Sequence, residues 1–406
     1  MRIAFVASAV PRRCGIATFT ADLTAAVKAA DPEVRCVAAA IDEPNAARAY
    51  GLDVRWRIRQ GEEASYRAAG RAIQGSAVDV VNLQHEFGLY GVWRDGGYED
   101  HCVPLLEELR KPVITTLHTV LPRPESWIRD TVRRIAERSA VVVVMAETAA
   151  RLLGQVYGIE RAPLVIPHGM PAIVPRGRRR LKRQLGMEGR TILSTFGLVD
   201  PRKGLEHMIA AMPAVVARHS DALYLIVGQT HPELLKREGE RYRNELVAEI
   251  EQRGMTEHVR FVNQYLTQRE IVDYLLATDV YVTPYLDLNQ ITSGTLAYAL
   301  GAGKAIVSTR YLHAAEALAD ARGLLVETRD PEGLARAVLA ILDDPALKRE
   351  LEQRAYAYGK EMAWPIVGRR VLELTRELLT PGAEVLRRAR ERAAQAEETE
   401  ARVPSA

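Results

Sequence analysis

The stretch Phe196-Gly197-Leu198-Val199-Asp200-Pro201-Arg202-Lys203-Gly204 sets two adjacent cations on a turn bounded by glycines. Thr191-Ile192-Leu193-Ser194 before it reads as a buried strand, and Leu205 to Arg218 after it as a helix. A glycine turn at the C-terminal end of a parallel strand is where doubly wound sheets place ligands. Arg202 and Lys203 can grip a diphosphate there, because preorganised cations beside a departing phosphate lower the barrier to its departure. Exposed Arg and Lys are common on any turn, but the strand–glycine–helix context favours a ligand. A diphosphate is the leaving group of a nucleotide sugar, so the turn points towards glycosyl transfer.

A second constellation is Thr292-Ser293-Gly294-Thr295, entering a helix over Ser293–Leu300 after the loop Pro284–Ile291. Free amides at a helix N-terminus attract an anion, and a glycine lets it approach. The same residues are also ordinary N-caps. Gly15-Ile16-Ala17 is a weaker anion site, placed in the loop Pro11–Ala17 with one glycine and no GxGxxG. His118 in Thr115-Thr116-Leu117-His118-Thr119, and His85 with Glu86 in Gln84-His85-Glu86, fall at strand ends facing a crevice. Lone histidines are also frequent structural residues. His168 in Ile166-Pro167-His168-Gly169 reads as a turn residue near a hinge. The basic run Arg176–Arg183 reads as a solvated helix face, with anionic lipid or a phosphorylated acceptor as the alternative.

These residues need a frame. At 406 residues and roughly 150 residues per domain, two or three domains are expected. Hydrophobic residues at 48% and charged residues at 26% describe a soluble globular protein. A formal charge of +3 does not call for nucleic acid. Cys14, Cys36 and Cys102 form neither a disulfide framework nor a metal-ligand spacing, which suits a reducing cytosol. Ile3 to Val10 reads as a first strand rather than a secretory signal, and no run of about 18 apolar residues suggests a spanning helix.

Along the chain, strand and helix alternate. The first part has strands at Ile3–Ala9, Asp79–Gln84, Pro112–Leu117, Ala140–Met145 and Val165–Pro167, and helices at Thr18–Ala30 and Ser126–Ser139. After the linker at Pro171–Arg183, strands follow at Thr191–Phe196, Ala222–Val227, Val259–Asn263, Val280–Thr283, Ala305–Ser308 and Gly323–Val326. Helices include Pro232–Arg253, with a break, and Arg269–Ala277. Short buried strands alternating with helices imply parallel sheets covered on both faces. Two such domains in series make a two-Rossmann architecture. Residues 381–406, rich in Ala, Glu and Arg, suggest a charged helical or disordered tail.

With these motifs in place, the chain resembles the retaining glycosyltransferases of family 4, over nearly its whole length. Phe196–Gly204 matches that family's strand-turn. Asp279–Pro284 matches the strand before its donor loop, and Ala299–Ser308 the helix and strand that follow. Glu316 and Gly323–Val326 come next, and Tyr358–Leu372, with Trp364, is similar to its terminal helix. The resemblance implies an α/β GT-B fold: two Rossmann-like doubly wound parallel-sheet domains facing a cleft. An acceptor domain would span 1–170, completed by about 360–380 through a C-terminal helix crossing back, and a donor domain 171–359.

The resemblance also implies roles. Arg202 and Lys203 would hold the diphosphate, helped by amides at Ser293 and Gly294, with Gly197 and Thr295 lining the donor. Glu316 would frame the donor, Gly15 and Ile16 would close over the phosphates, and His118 would lie near the transferred sugar. His85 and Glu86 would face the acceptor or cleft. The family usually has two Glu eight positions apart, where this chain has Gln290 and Tyr298. Gln290 can still hydrogen-bond a sugar, Tyr298 can offer a hydroxyl to a ribose, and Asp287 is a substitute carboxylate. Asn263–Leu266 is expected in the base pocket.

The expected reaction is retaining, front-face transfer of a hexose from a GDP-sugar or UDP-sugar to a hydroxyl of a glycan, lipid or small molecule. No cofactor and no metal are expected. Gln84–Gly88 together with Ser293–Leu300 resembles a mannosyltransferase-like branch, which favours mannose. The alternatives are a nucleotide-sugar epimerase or hydrolase of the same fold, and a non-catalytic nucleotide-sugar-binding protein. The expected location is cytoplasmic, with weak peripheral membrane contact through Arg176–Arg183 as a variant, and no nucleic acid.

Overall fold

The computed structural model describes residues 1–380 except 47, 95 and 96, so the tail over 381–406 lies outside the described residues. The chain divides into two units, Met1–Pro167 with the segment from Trp364, and His168–Ala363. The crossings fall at 167/168 and 363/364 rather than at 170/171 and near 360. Packing explains the shift: Ile166 and Trp364 are in the first unit's core, Met170 and Ala363 in the second's.

In the first unit, strands β1 (Arg2–Ala7), β2 (Arg35–Asp42), β3 (Val54–Arg59), β4 (Val80–His85), β5 (Gly91–Arg94), β6 (Gly97–Asp100), β7 (Val113–Leu117), β8 (Val141–Val144) and β9 (Leu164–Val165) alternate with helices. Seven form a parallel sheet in the order β3-β2-β1-β4-β7-β8-β9, and β5 and β6 pair as a separate antiparallel hairpin. β4, β7 and β8 are buried throughout, as a parallel sheet covered on both faces requires. The helix Trp364–Leu379 completes this unit against the helix Gly15–Ala30. A Cβ at Gly368 would meet Ala26 backbone at 2.7 Å. Arg376 pairs with Asp31 at 2.5 Å.

The second unit has β10 (Thr191–Phe196), β11 (Ala222–Val227), β12 (Val259–Val262), β13 (Val280–Thr283), β14 (Ala305–Thr309) and β15 (Leu324–Val326), parallel in the order β12-β11-β10-β13-β14-β15. The strand order reverses beside β10 and β13, which opens a crevice at their C-terminal ends. These ends carry Gly197 and Pro284.

Several local expectations are corrected. Gly15 begins a helix rather than sitting in a loop, because Cys14 is the extended N-cap and its carbonyl accepts the Thr18 amide at 3.2 Å. The break expected within Pro232–Arg253 is present, at Gly239 with φ +63. Tyr358–Leu372 is not one helix, because a 3-10 turn at Lys360–Met362 separates Gly359 from Trp364. β2, β3 and the β5–β6 hairpin are additions to the strands expected.

Candidate active site

The turn Phe196–Gly204 in the second unit is built by Asp200. Its carboxylate accepts the Arg202 amide at 2.9 Å, capping the 3-10 turn Pro201–Lys203, and holds the Arg202 guanidinium in a fork at 2.8 and 3.0 Å. Burial works to raise the Asp200 carboxyl, but the Arg202 hydrogen bonds outweigh it and hold it below the ordinary value. Gly204 ends the turn with φ +59, and a Cβ there would sit 2.2 Å from the Pro284 carbonyl. The turn is thus pressed onto the chain leaving β13. A Cβ on Gly228 would lie 2.0 Å from the Gly197 carbonyl, so β10 and β11 end in close backbone contact.

Lys203 is placed differently from Arg202. Its ammonium lies 3.7 Å from the centre of the Tyr285 ring, and no carboxylate lies within ion-pair distance of it among the described residues. Burial, then Arg202, bring it down from 10.5 to about 8. Tyr285 stacks on Tyr311 at 5.3 Å and bonds the Thr295 hydroxyl at 2.8 Å, which in turn meets Ser293 Oγ at 3.1 Å. Lys203 and the start of the helix Gly294–Gly301 therefore share one aromatic and hydroxyl frame. Asp287 adds its charge beside Arg202 and Lys203.

The helix start departs from expectation. Ser293 is its N-cap, accepting from the Leu296 amide at 3.3 Å. The Ser293 amide, expected on a phosphate, donates instead to His313 Nδ1 at 2.9 Å. His168 is more than a turn residue, since a Cβ on Gly294 would lie 3.0 Å from its Nε2. Burial lowers both imidazoles to about 4. Two neutral rings therefore sit at the positive end of this helix. Gln290 donates to the Thr292 carbonyl at 3.1 Å, and its own carbonyl accepts the His313 amide at 3.1 Å. Glu316 lies on the helix Leu312–Ala317 with its charge near His313. Tyr298 packs edge-on against Phe196 at 5.9 Å, and its hydroxyl accepts from Gln268 at 3.1 Å. The structure thus gathers Gly197, Arg202, Lys203, Asp287, Ser293, Gly294 and Thr295, with Gln290 and Glu316 behind them and Tyr298 at the Phe196 side.

In the first unit, His118 Nε2 meets Gln84 Oε1 at 2.8 Å, and its ring stands edge-on to Phe19 at 4.9 Å. Phe19 belongs to the helix that starts at Gly15 and Ile16, so those residues and His118 share a neighbourhood. Gly15 is exposed with open space around its Cβ position. Glu86 accepts from Thr119 at 2.8 Å and from the Phe87 amide at 3.0 Å, and burial raises its carboxyl. His85 is a correction. It is 0% exposed, stacked on Tyr90 at 5.4 Å, with neither ring nitrogen hydrogen-bonded, and burial takes it down to about 3. It is a core ring, packed edge-on against Phe87 at 4.9 Å as well as on Tyr90, while the equally buried Gln84 bonds His118.

Sequence reasoning missed Asp200 and Tyr285, which flank the cation pair, and His313, twenty residues from Ser293. It also missed an aromatic surface in the first unit. Trp127 stacks on Tyr98 at 4.6 Å and meets Trp93 edge-on at 5.1 Å, with Trp93 65% exposed. Only the hairpin brings these rings together. Among the described residues, no cluster of three His, Cys, Asp or Glu could hold a metal ion.

Two parallel-sheet α/β units, with a cation-bearing glycine turn at the β10 switch point, define a GT-B protein. Residues 177–362 match the model of the glycosyl transferases group 1, and residues 14–174 that of Glycosyltransferase Family 4. The chain belongs to the family 4 glycosyltransferases and is a glycosyltransferase. It is 26% identical to a phosphatidyl-myo-inositol mannosyltransferase of Mycolicibacterium smegmatis over 284 residues, covering 69% of each chain. A GDP-mannose-dependent monoacylated alpha-(1-6)-phosphatidylinositol monomannoside mannosyltransferase of Corynebacterium glutamicum is 25% identical over 260 residues. That match covers 61% of this chain and 64% of the relative. Among solved structures, sucrose-phosphate synthase of Thermosynechococcus elongatus superposes with a TM-score of 0.72 at 17% identity, covering 93% and 99% of the two chains. This last likeness speaks for the fold alone.

Proposed function

We propose that the protein transfers a hexose, mannose by preference, from a nucleoside-diphosphate sugar to an acceptor hydroxyl with retention of configuration and without a metal. The observation that carries this reading is the Lys203 ammonium, held over Tyr285 with no carboxylate partner beside the helix start at Ser293. Removing an ammonium from water without pairing it is costly, and a diphosphate supplies the missing charge. The bond from the anomeric carbon to the diphosphate oxygen breaks, and its electron pair goes to that oxygen, where Lys203 stabilises it. Arg202 serves from its Asp200 fork, which fixes it in place while leaving it 67% exposed. The departing oxygen then takes the proton of the acceptor hydroxyl as the new bond forms on the same face. His118, Glu86 and the Trp93–Tyr98–Trp127 surface are the acceptor-side groups of the first unit.

The likeness to two mannosyltransferases of inositol lipids favours mannose and a lipid-linked or polyol acceptor. No helix among the described residues is long and apolar enough to cross a membrane. The test is release of nucleoside diphosphate from GDP-mannose and UDP-glucose, with and without phosphatidylinositol. Acceptor-dependent release from GDP-mannose supports the reading. Equal release without acceptor marks a hydrolase, and binding without turnover marks a nucleotide-sugar-binding protein; either sinks it.

A further inference from the structure

Behind the donor site, at the opposite end of the same strands, lies a cavity of about 320 Å³. Its wall includes Arg176, Arg178, Lys304, Arg349, Glu352 and Tyr356. Lys304 immediately precedes β14, and Asp279 immediately precedes β13, so both stand at the N-terminal edge of the sheet. None of these groups takes part in the reaction derived above.

The charges do not balance. Asp279 is held by Lys182 at 2.5 Å, Lys348 at 3.4 Å and Arg178 at 3.7 Å, and it also accepts the Ile192 amide at 2.8 Å. Glu352 is held by Arg178 at 2.6 Å and Lys348 at 3.5 Å. Two carboxylates thus serve three cations already. Lys304, Arg176 and Arg349 remain, with no carboxylate within ion-pair distance of any of them among the described residues. Lys304 is 1% exposed, and its ammonium donates only to the Thr278 carbonyl at 3.1 Å. Arg178 Nε is buried without a hydrogen-bond partner. The basic run 176–183 is therefore more than a solvated face: Arg178 and Lys182 turn inward, while Arg179, Arg180 and Arg183 stay exposed.

We infer that this cavity is a second anion site, built for a small phosphorylated metabolite and separate from the donor site. A phosphate dianion supplies the missing negative charge and acceptors for Lys304, Arg176 and Arg349. The volume exceeds that of a bare phosphate, and Tyr356, Leu276 and Pro175 give the rest of the wall an apolar character. A phosphomonoester fits both halves, with its phosphate on the cations and its organic part on the Tyr356 side. A lipid headgroup carries the same phosphate chemistry, but an acyl chain would have to leave through the exposed mouth.

The site also takes up a proton. Lys304 faces Arg178 and Lys182 on the helix Arg178–Gln184, Asp279 before β13, and Lys348, Arg349 and Glu352 on the helix Pro345–Gly359. Burial, then Arg178, lower it to about 7. An anion beside it restores its charge, so binding weakens as pH rises.

The test is calorimetry on the full chain with inorganic phosphate, sulfate and glucose 6-phosphate. Saturable binding is expected, tighter for glucose 6-phosphate than for phosphate. Arg349→Gln, at an exposed position that leaves the core intact, and Lys304→Met should each weaken phosphate binding by about tenfold or more. Lys203→Met, which disables the donor turn, should remove only phosphate binding at that turn and keep the binding that depends on Lys304 and Arg349. Sulfate does not titrate, so its affinity should fall about tenfold from pH 6 to pH 9, and Lys304→Met should flatten that slope. Phosphate binding that survives both cavity substitutions in the Lys203→Met background, or that vanishes in Lys203→Met alone, overturns the site. Binding to phosphatidylglycerol vesicles with none to phosphate or glucose 6-phosphate overturns it as well.

Discussion

Lys203→Met should make the protein more stable and less active at once. Bringing the Lys203 ammonium from 10.5 to about 8 means that folding at neutral pH carries a penalty of about 3 kcal/mol, at roughly 1.4 kcal/mol per decade of acidity. The contact with Tyr285 at 3.7 Å returns about 1–2 kcal/mol as a cation–π interaction. A methionine fills similar space over the same ring and carries no charge. The variant should therefore gain about 1–2 kcal/mol, or about 2–8 °C in Tm. The pH dependence fixes the cause. The folded value is depressed, so the unfolded chain binds the proton more tightly, and wild-type stability rises with pH between about 8 and 10.5. Below about 8 the penalty is present in full. The Tm difference between variant and wild type should thus be largest below pH 8 and close towards pH 10.5. Nucleotide affinity moves the other way: losing one charged hydrogen bond costs about 1.5–3 kcal/mol, and transfer should fall by about 100-fold or more. The assays are thermal denaturation from pH 6 to pH 10.5, titration with GDP and UDP, and sugar turnover. A lowered Tm at pH 7 together with an unchanged nucleotide Kd would refute the assignment of Lys203 as an unpaired anion-binding cation.

Three further outcomes are expected. Gly204→Ala should destabilise the protein by about 1–3 kcal/mol, because φ is +59 and the new Cβ would sit 2.2 Å from the Pro284 carbonyl; an unchanged denaturant midpoint would show that the turn yields freely. Tyr298→Phe should weaken donor binding by about 0.5–1.5 kcal/mol if its hydroxyl reaches a ribose, and an unchanged Kd by calorimetry would assign Tyr298 to packing on Phe196. Transfer should persist in EDTA, with a complete and Mg²⁺-reversible loss pointing to a metal-dependent donor site.

The sequence alone determined the features that depend on near neighbours. Strands such as Val141–Val144 and Ala222–Val227 declare themselves because burial on both faces leaves room only for apolar residues. The turn Phe196–Gly204 declares itself because Gly204 must adopt a left-handed backbone and Pro201 must start a turn. The two-domain α/β class follows from that alternation, and the resemblance to family 4 follows from the turn and the segment Ala299–Ser308. Partnership was decided only in three dimensions. Arg202 and Lys203 are adjacent and look equivalent, yet Asp200 takes one in a fork while Tyr285, eighty-two residues on, receives the other on its ring. The Ser293 amide looked open to a phosphate until His313 folded back onto it. His85 looked like its neighbours Gln84 and Glu86, but its ring found Phe87 and Tyr90 while Gln84 found His118 and Glu86 found Thr119. The basic run from Arg176 to Arg183 looked like one solvated face, and Asp279 and Glu352, each about a hundred residues or more away, drew Arg178 and Lys182 inward. A charged side chain is governed by the field of whatever surrounds it, and those groups come from distant parts of the chain that only folding brings together.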